Sequence, residues 1–257
     1  MGLNIIACIK SVAVKRQGEK DTGNLSYELN PFDRPAIEMA LNLIQKYKGT
    51  LTVLSMGPES ASYALYQAMS MGADRAVLIC DPALKESDTY ITSKVLGTAL
   101  HKMSPFDLVF FGTRTSDSDT GHVGPQTAQM LNLPFVINIH SLEKTNKNLS
   151  VERKADGYKE TFDLPMPAGF TVHHNYKQPG FTRLHEIENT FNNKKIEIWN
   201  NKKLGLKNDE TGVSASPTKI ITLKKKKEQK SCKLIEGSLE TKAKLLSKSL
   251  IESGLVG

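Results

Sequence analysis

The chain has 257 residues, 39% of them hydrophobic and 24% charged, and a formal net charge of +7. That length fits one large α/β domain, or one domain with an extension, and the composition is ordinary for a soluble protein. No apolar run is long enough to cross a bilayer as a helix, and Cys8, Cys80 and Cys232 lie too far apart for a metal or redox spacing. Free thiols in a reducing cytoplasm are the expectation.

"MGLNIIACIK" reads as a buried first strand rather than a secretory signal, and it lacks the hydroxyl residue that a myristoylation site wants. The polar stretch that follows, with its "DTG" turn signal, is expected to be a loop or short hairpin. "NPFDRPAIEMALNLIQKY" predicts a helix with Asp33 as N-cap, Pro35 in the first turn, and Ile37, Ala40, Leu41 and Ile44 on one face. "GTLTVLSMGP" is a second strand. The next helix aligns Ala61, Leu65, Ala68 and Met69 and stops at Gly72. "RAVLIC" is a third strand, and "SDTYITSKVLGTALHKM" a helix capped by Ser87 or Asp88. "FDLVFFG" is a fourth strand, "GPQTAQMLNL" a short helix and "PFVINI" a fifth strand.

Strands alternating with helical patterns, each strand apolar nearly throughout, predict an α/β fold with a mostly parallel, doubly wound sheet. Past about residue 140 the pattern becomes that of antiparallel hairpins around "NKN" and "ADG" turns. "PMPAGFTVHH" reads as a strand returning to the sheet, with His173 and His174 on alternate faces in structural roles. The chain then turns polar. Residues 200–230 lack apolar content for a core and read as an arm that needs a surface, most naturally a second subunit. The final segment predicts an amphipathic helix with Leu245, Leu246 and Leu250 on a stripe. Much of the positive charge sits in "LKKKKEQKSCK" (223–233), a solvated tail or a strand docked on an acidic partner, so neither a nucleic-acid nor a membrane partner is expected.

In an open parallel sheet, ligands bind outside the carboxyl ends of the strands. The loops there are "KSVA", "SMGP" and "GTRTSDSDTGHVGP". Small residues let backbone N–H groups approach an anion, a following helix N-terminus adds a favourable field, and the hydroxyls add donors, so a phosphate-bearing ligand is the chemical reading. The fingerprints GxGxxG and GxxxxGK[ST] are both absent. Asp117, Asp119 and His122 also stand as plain turn formers and caps. As metal ligands they are incomplete, since D-x-D-x-G lacks the distal Glu of a calcium loop and His122 has no neighbouring His or Cys. No GxSxG motif or activated cysteine is present, so no catalytic acid or nucleophile is expected.

The order "ACIKSV", "NPFDRPAIEMAL", "VLSMGP", "AMSMGADRAVLI", "SDTYITS", "FDLVFFG", "DSDTGHVGP", "VERKADGYKETFDLPMPA" and "SPTKI" resembles the β subunit of electron transfer flavoproteins over nearly the whole chain. The resemblance implies a HUP-like adenine-nucleotide-binding domain (1–185) with a β-hairpin excursion. Residues 186–257 would be a partner-recognition segment and an extended C-terminal arm wrapping an α subunit. It implies a cytoplasmic or mitochondrial heterodimer whose α subunit holds or shares one FAD. The β subunit would hold AMP in housekeeping members, or a second FAD reduced by NADH in members that bifurcate electrons, with an acyl-CoA-type dehydrogenase as partner. The loop "RTSDSDTGHVGPQ" is similar to the bifurcating pattern "QAIDGDTAQVGPE" rather than to "QAIDDDxNQTGQ". A non-redox, nucleotide-binding regulatory protein of the same sheet type is the reading from another class.

By similarity, Cys8, Asn30, Pro31, Phe32, Asp33 and Met56 would line the adenine and ribose pocket. Gly112, Arg114, Thr115, Asp117, Asp119, Thr120, Gly121, His122 and Val123 would hold the phosphates. Asp88, Thr89 and Thr92 would reach the extra phosphate and flavin half. Leu184, with Ile187, would meet the partner from a recognition loop (181–190). Arg114 and His122 depart from the family's usual Gln, Thr115 and Ser116 from its Ala-Ile, and Gly169 from a branched aliphatic.

Overall fold

The computed structural model describes residues 2–14, 26–146, 148–177, 180, 182–222, 232 and 234–256. The "DTG" turn signal and the lysine-rich run at 223–233, Cys232 excepted, lie outside the described residues. In chain order the elements are β1 (Leu3–Cys8), the hairpin β2 (Ser11–Val14) and β3 (Ser26–Leu29), α1 (Arg34–Tyr47), β4 (Gly49–Met56), α2 (Ser62–Met71) and β5 (Arg75–Ile79). There follow α3 (Thr89–Lys102), β6 (Leu108–Gly112), α4 (Val123–Met130), β7 (Phe135–Lys144), β8 (Asn148–Ala155), β9 (Tyr158–Pro165) and β10 (Ala168–Val172). The last are α5 (Leu184–Asn193), β11 (Ile196–Trp199), the single turns α6 (Asn201–Leu204) and α7 (Gly212–Ala215), and α8 (Leu239–Glu252).

One nine-stranded sheet carries the fold, in the order β11-β5-β4-β1-β6-β10-β7-β8-β9. Its pairs are parallel from β11 to β7, and β8 and β9 extend it antiparallel. The central strands β1, β6 and β10 are apolar nearly throughout because both faces are covered, whereas β8 and β9 alternate polar and apolar residues. Alternate residues divide the core. Ile5, Ala7, Val53, Ala76, Leu78 and Phe110 pack with Ile37 and Ala40 of α1 and Leu65 and Ala68 of α2. Ile6, Cys8, Leu54, Val77, Ile79 and Phe111 pack with Ile91, Val95 and Leu100 of α3.

The chain moves from β1 to β4 and β5 in one direction, then crosses back to place β6 on the other side of β1. Right-handed crossovers in opposite directions put their helices on opposite faces and open a switch point between β1 and β6. The sheet therefore positions its ligand edge where the exits of β1 and β6 meet.

Several local features differ from the sequence reading. Asp33 stands at the N-cap of α1, but its carboxylate makes no capping bond. The buried face of α1 centres on Ala36, Ile37, Met39, Ala40 and Leu43, with Leu41 and Ile44 at its flanks. The fifth strand and the first hairpin strand are one continuous element, β7, bulged between Ile139 and Ser141 where it pairs with β8. His173 and His174 lie past the end of β10 and share a stack. His140 and His173 have ring centroids 4.1 Å apart, and His173 and His174 4.3 Å. β11, too short to read in a polar segment, joins the sheet beside β5, where Arg75 grips Glu197 through two hydrogen bonds of 2.6 and 2.9 Å.

Met1–Lys219 forms one compact unit and Ile220–Gly257 another. Within the second, the Ser238 hydroxyl caps α8 and no residue of that helix is buried. Among the described residues no helix is long and apolar enough to cross a membrane.

Candidate functional site

Three backbone segments meet at the switch point. They are the exit of β1 at Lys10, the turn Asn30–Asp33 before α1, and the β6 loop 113–122. Asn30 and Asp33 are buried polar residues, and burial of such groups demands partners. Asp33 accepts the Lys10 backbone N–H at 2.6 Å and the Asn30 amide at 2.9 Å. The same Asn30 amide donates to the Arg114 carbonyl at 2.9 Å, while its oxygen accepts the Ser116 N–H at 3.2 Å. Lys10 Nζ closes the ring on the Asp117 carboxylate, at 2.6 and 2.9 Å.

Gly112 ends β6 against this knot. A Cβ there would stand 2.0 Å from the Asp33 carboxylate and 2.9 Å from the Phe32 carbonyl oxygen, so only glycine fits. The loop beyond it is folded on itself. Thr115 and Ser118 share a hydroxyl bond of 2.9 Å, and the Asp119 N–H donates to the Thr115 carbonyl. Asp119 and Gly121 take left-handed backbone angles, φ 54° and 65°. The Arg114 guanidinium lies 4.4 Å over the Phe32 ring and 3.5 Å from Asp119, an exposed pair that contributes little to stability.

The electrostatics of the knot follow from burial. Desolvation, helped by the Asp117 charge, pushes the Asp33 carboxyl up to about 7, against the Lys10 and Asn30 donors and the Lys10 charge. The Cys8 thiol is pushed far above its ordinary range by burial and then by Asp33, which leaves it a packing group and not a nucleophile. At Asp117 burial works upward, but hydrogen bonds from Lys10, Thr115 and the Ser118 N–H, with the Lys10 charge, hold the carboxyl below its ordinary range.

A second wall comes from α3 and α4. The Ser93 hydroxyl lies 3.2 Å from the Val123 carbonyl, joining the first turns of these helices. α4 starts after His122 with no side-chain cap. The hydroxyls of Thr89, Thr92 and Thr120 make no hydrogen bond to the described residues; Thr89 and Thr92 are half-buried and Thr120 is exposed. Met56, half-buried at the end of β4, packs on the α3 side. Asp88 is committed elsewhere. One carboxylate oxygen caps α3 at Ile91 N–H, the other accepts the Thr218 N–H, and its own N–H donates to the Ser216 hydroxyl.

Lys10, the first residue of the loop "KSVA", directly follows the strand that ends at the switch point and supplies the tie to Asp117. Residues 181–190 read as a loop in the sequence, whereas Leu184 opens helix α5. Leu184 is 80% exposed, Ile187 36% exposed, and Phe191, not singled out before, stacks on Tyr66 of α2 at 4.6 Å.

The chain matches the Electron transfer flavoprotein domain family over residues 21–204. It is 33% identical to an electron transfer flavoprotein subunit beta of Thermoanaerobacterium thermosaccharolyticum, covering 93% of this chain and 94% of that one. It is 32% identical to the Caffeyl-CoA reductase-Etf complex subunit CarD of Acetobacterium woodii, covering 85% and 86%. Against the Protein FixA of Azotobacter vinelandii it is 34% identical, covering 75% and 70%. A chain whose loops knot together at the switch point of a parallel sheet, and which matches these relatives over most of its length, belongs to the electron transfer flavoprotein family, as a member of the β-subunit and FixA type.

Proposed function

We propose that the rim between β1 and β6 holds FAD, reduced by NADH, and that the chain pairs with an electron transfer flavoprotein α subunit carrying or sharing a second FAD. In this reading the complex serves an acyl-CoA-type dehydrogenase in the cytoplasm and divides electrons by bifurcation. The observation that carries it is the loop 113–122. It is tied to the β1 exit through Asn30 and Lys10, and it leads into a helix without a side-chain cap.

The residues present fit a phosphorylated adenosine compound. Gly121 lets the loop close where a Cβ would come 2.9 Å from the Thr113 carbonyl oxygen. Thr89, Thr92 and Thr120 offer hydroxyl donors, Arg114 offers a cation held only by surface contacts, and the starts of α3 and α4 lie side by side. The uncapped first turn of α4 and these hydroxyls would hold the phosphates, with Met56 and Cys8 against the adenine side. FAD supplies the redox chemistry when bound, and the chain supplies position and electrostatics. The name of CarD places that relative in a complex with a caffeyl-CoA reductase, which supports a dehydrogenase of this chemistry as the partner. Cys8, Cys80 and Cys232 are free thiols, in keeping with a cytoplasmic setting.

Extraction of nucleotide from the purified heterodimer tests the reading. Two FAD per dimer supports it. One FAD with one AMP makes the chain a housekeeping β subunit, and a colourless chain without an α-like partner makes it a non-redox nucleotide-binding protein.

A further inference from the structure

We infer that Asp33 is a positioning residue, not a ligand, whose ionised carboxylate draws the exits of β1 and β6 into the shape that takes the nucleotide. The inference rests on the nucleotide reading above. Both carboxylate oxygens are already engaged, one by the Lys10 N–H and one by the Asn30 amide. The carboxylate is buried and packed against Gly112, where a Cβ would stand 2.0 Å from it. Asn30 transmits its position to the loop through the Arg114 carbonyl and the Ser116 N–H.

Both donors are fixed, since one is a backbone N–H and the other is held by a second acceptor. Protonation would leave both oxygens able to accept, but it would remove the charge that strengthens both bonds, and the ties to Lys10 and Asn30 would weaken. The titratable groups facing Asp33 are Cys8 and Lys10, from β1 and its exit, and Asp117, from the β6 loop. Burial pushes Cys8 far up, and the Lys10 bonds and charge hold Asp117 below its ordinary range, whereas burial brings Asp33 to about 7. Raising the pH through that value costs fold stability, because a buried charge appears, yet it completes the rim. Binding and stability then run in opposite directions across one window, which a merely structural carboxylate does not produce.

The test uses the full chain alone, with FAD as the probe in equilibrium dialysis from pH 5.5 to 8.5 and thermal unfolding at each pH. The FAD phosphates do not titrate in this range. The expected wild-type dissociation constant rises as pH falls below 7, approaching tenfold per pH unit (about the limit for one required ionisation), while the unfolding midpoint does not fall with it. Asp33→Asn presents an amide N–H to the Asn30 amide. It is expected to bind FAD at least about tenfold more weakly at pH 8, to lose the pH dependence, and to lose hydrogen-exchange protection at the Lys10 and Ser116 amides. The variant keeps every other side chain of the rim, so the difference between the two profiles isolates Asp33.

Parallel profiles for the two proteins, unchanged affinity in the variant at pH 8, or affinity and stability falling together with pH would each overturn the inference. If the variant does not fold, the wild-type profile and its amide protection decide alone. Failure of the wild-type chain to bind FAD or AMP at any pH overturns the nucleotide reading and takes the inference with it. Binding that is strong but flat in pH overturns the inference only.

Discussion

Asp33 is costly to the fold where it stands. Its folded pKa, raised by burial to about 7, exceeds the unfolded value, so the native state holds its proton more tightly than the unfolded chain does. The corresponding stability is fully present below the ordinary carboxylate range and is lost as pH rises through about 7. Between these limits the slope reaches at most about 1.4 kcal/mol per pH unit. Urea titrations from pH 4 to 8 should show the wild type losing stability relative to Asp33→Asn over that window; a constant difference would mean that Asp33 does not titrate there. Gly112→Ala is expected to destabilise by about 1–3 kcal/mol and to weaken nucleotide binding, because its Cβ would meet the Asp33 carboxylate and the Phe32 carbonyl oxygen together. The motif "NPFD" marked this turn in the sequence, and the resemblance assigned Asp33 to the ligand. In place of the expected cap on α1, the carboxylate accepts from Lys10, a residue 23 positions earlier in the chain. A local capping rule sees only the residues that follow Asp33, so it could not anticipate a competing donor brought in by the sheet.

At the level of elements, the departure at Gly169 has a structural cause in β7. A Cβ on Gly169 of β10 would lie 2.6 Å from the Phe135 ring and 3.1 Å from Val109. A Cβ on Gly124 of α4 would likewise come 3.1 Å from this ring, which sits edge-on to Phe111 at 6.0 Å. Gly169→Ala alone should therefore cost about 1–3 kcal/mol by overpacking, and Phe135→Leu in the same chain should restore most of it. A double-mutant cycle in urea measures this coupling, and additive losses would show that the ring does not occupy the space. Helix α5 invites a contrasting pair of substitutions. Leu184→Ala should change stability by no more than about 0.5 kcal/mol and slow electron exchange with the proposed dehydrogenase partner. Phe191→Ala should cost about 1 kcal/mol by losing its stack on Tyr66. Equal losses of stability from both would remove the reason to regard Leu184 as a contact residue. The long strands and helices were legible because period and burial agree in them. β11 and α5 were not, because β11 is only four residues long in a polar surround and α5 is itself polar, and each is fixed by an element far away in the chain: β11 by β5, α5 by α2.

For the molecule as a whole, the two packed cores end before residue 216, with Trp199, Leu204 and Ala215 the last contributors on the α3 face. The sheet, both helix layers and the knot at the switch point all lie within Met1–Lys219. The strap from Asp88 to Ser216 and Thr218 lies there too. Ile220–Gly257 brings a helix with no buried residue, on which Leu239, Leu245, Leu246 and Ile251 are all exposed. Apolar side chains at this density on a helix that buries none of them are expected to be covered in an assembly, and the C-terminal arm of the proposed heterodimer is the part they fit. A chain ending at Lys219 should therefore unfold in urea with the midpoint of the full chain and nearly the same slope, since the slope follows the surface exposed on unfolding and α8 has no buried residue. It should also retain affinity for the proposed nucleotide, while co-purification with the α subunit is lost. A lowered midpoint would show that residues 220–257 contribute to the folded unit itself, and undiminished co-purification would move the α-subunit contact onto the sheet domain.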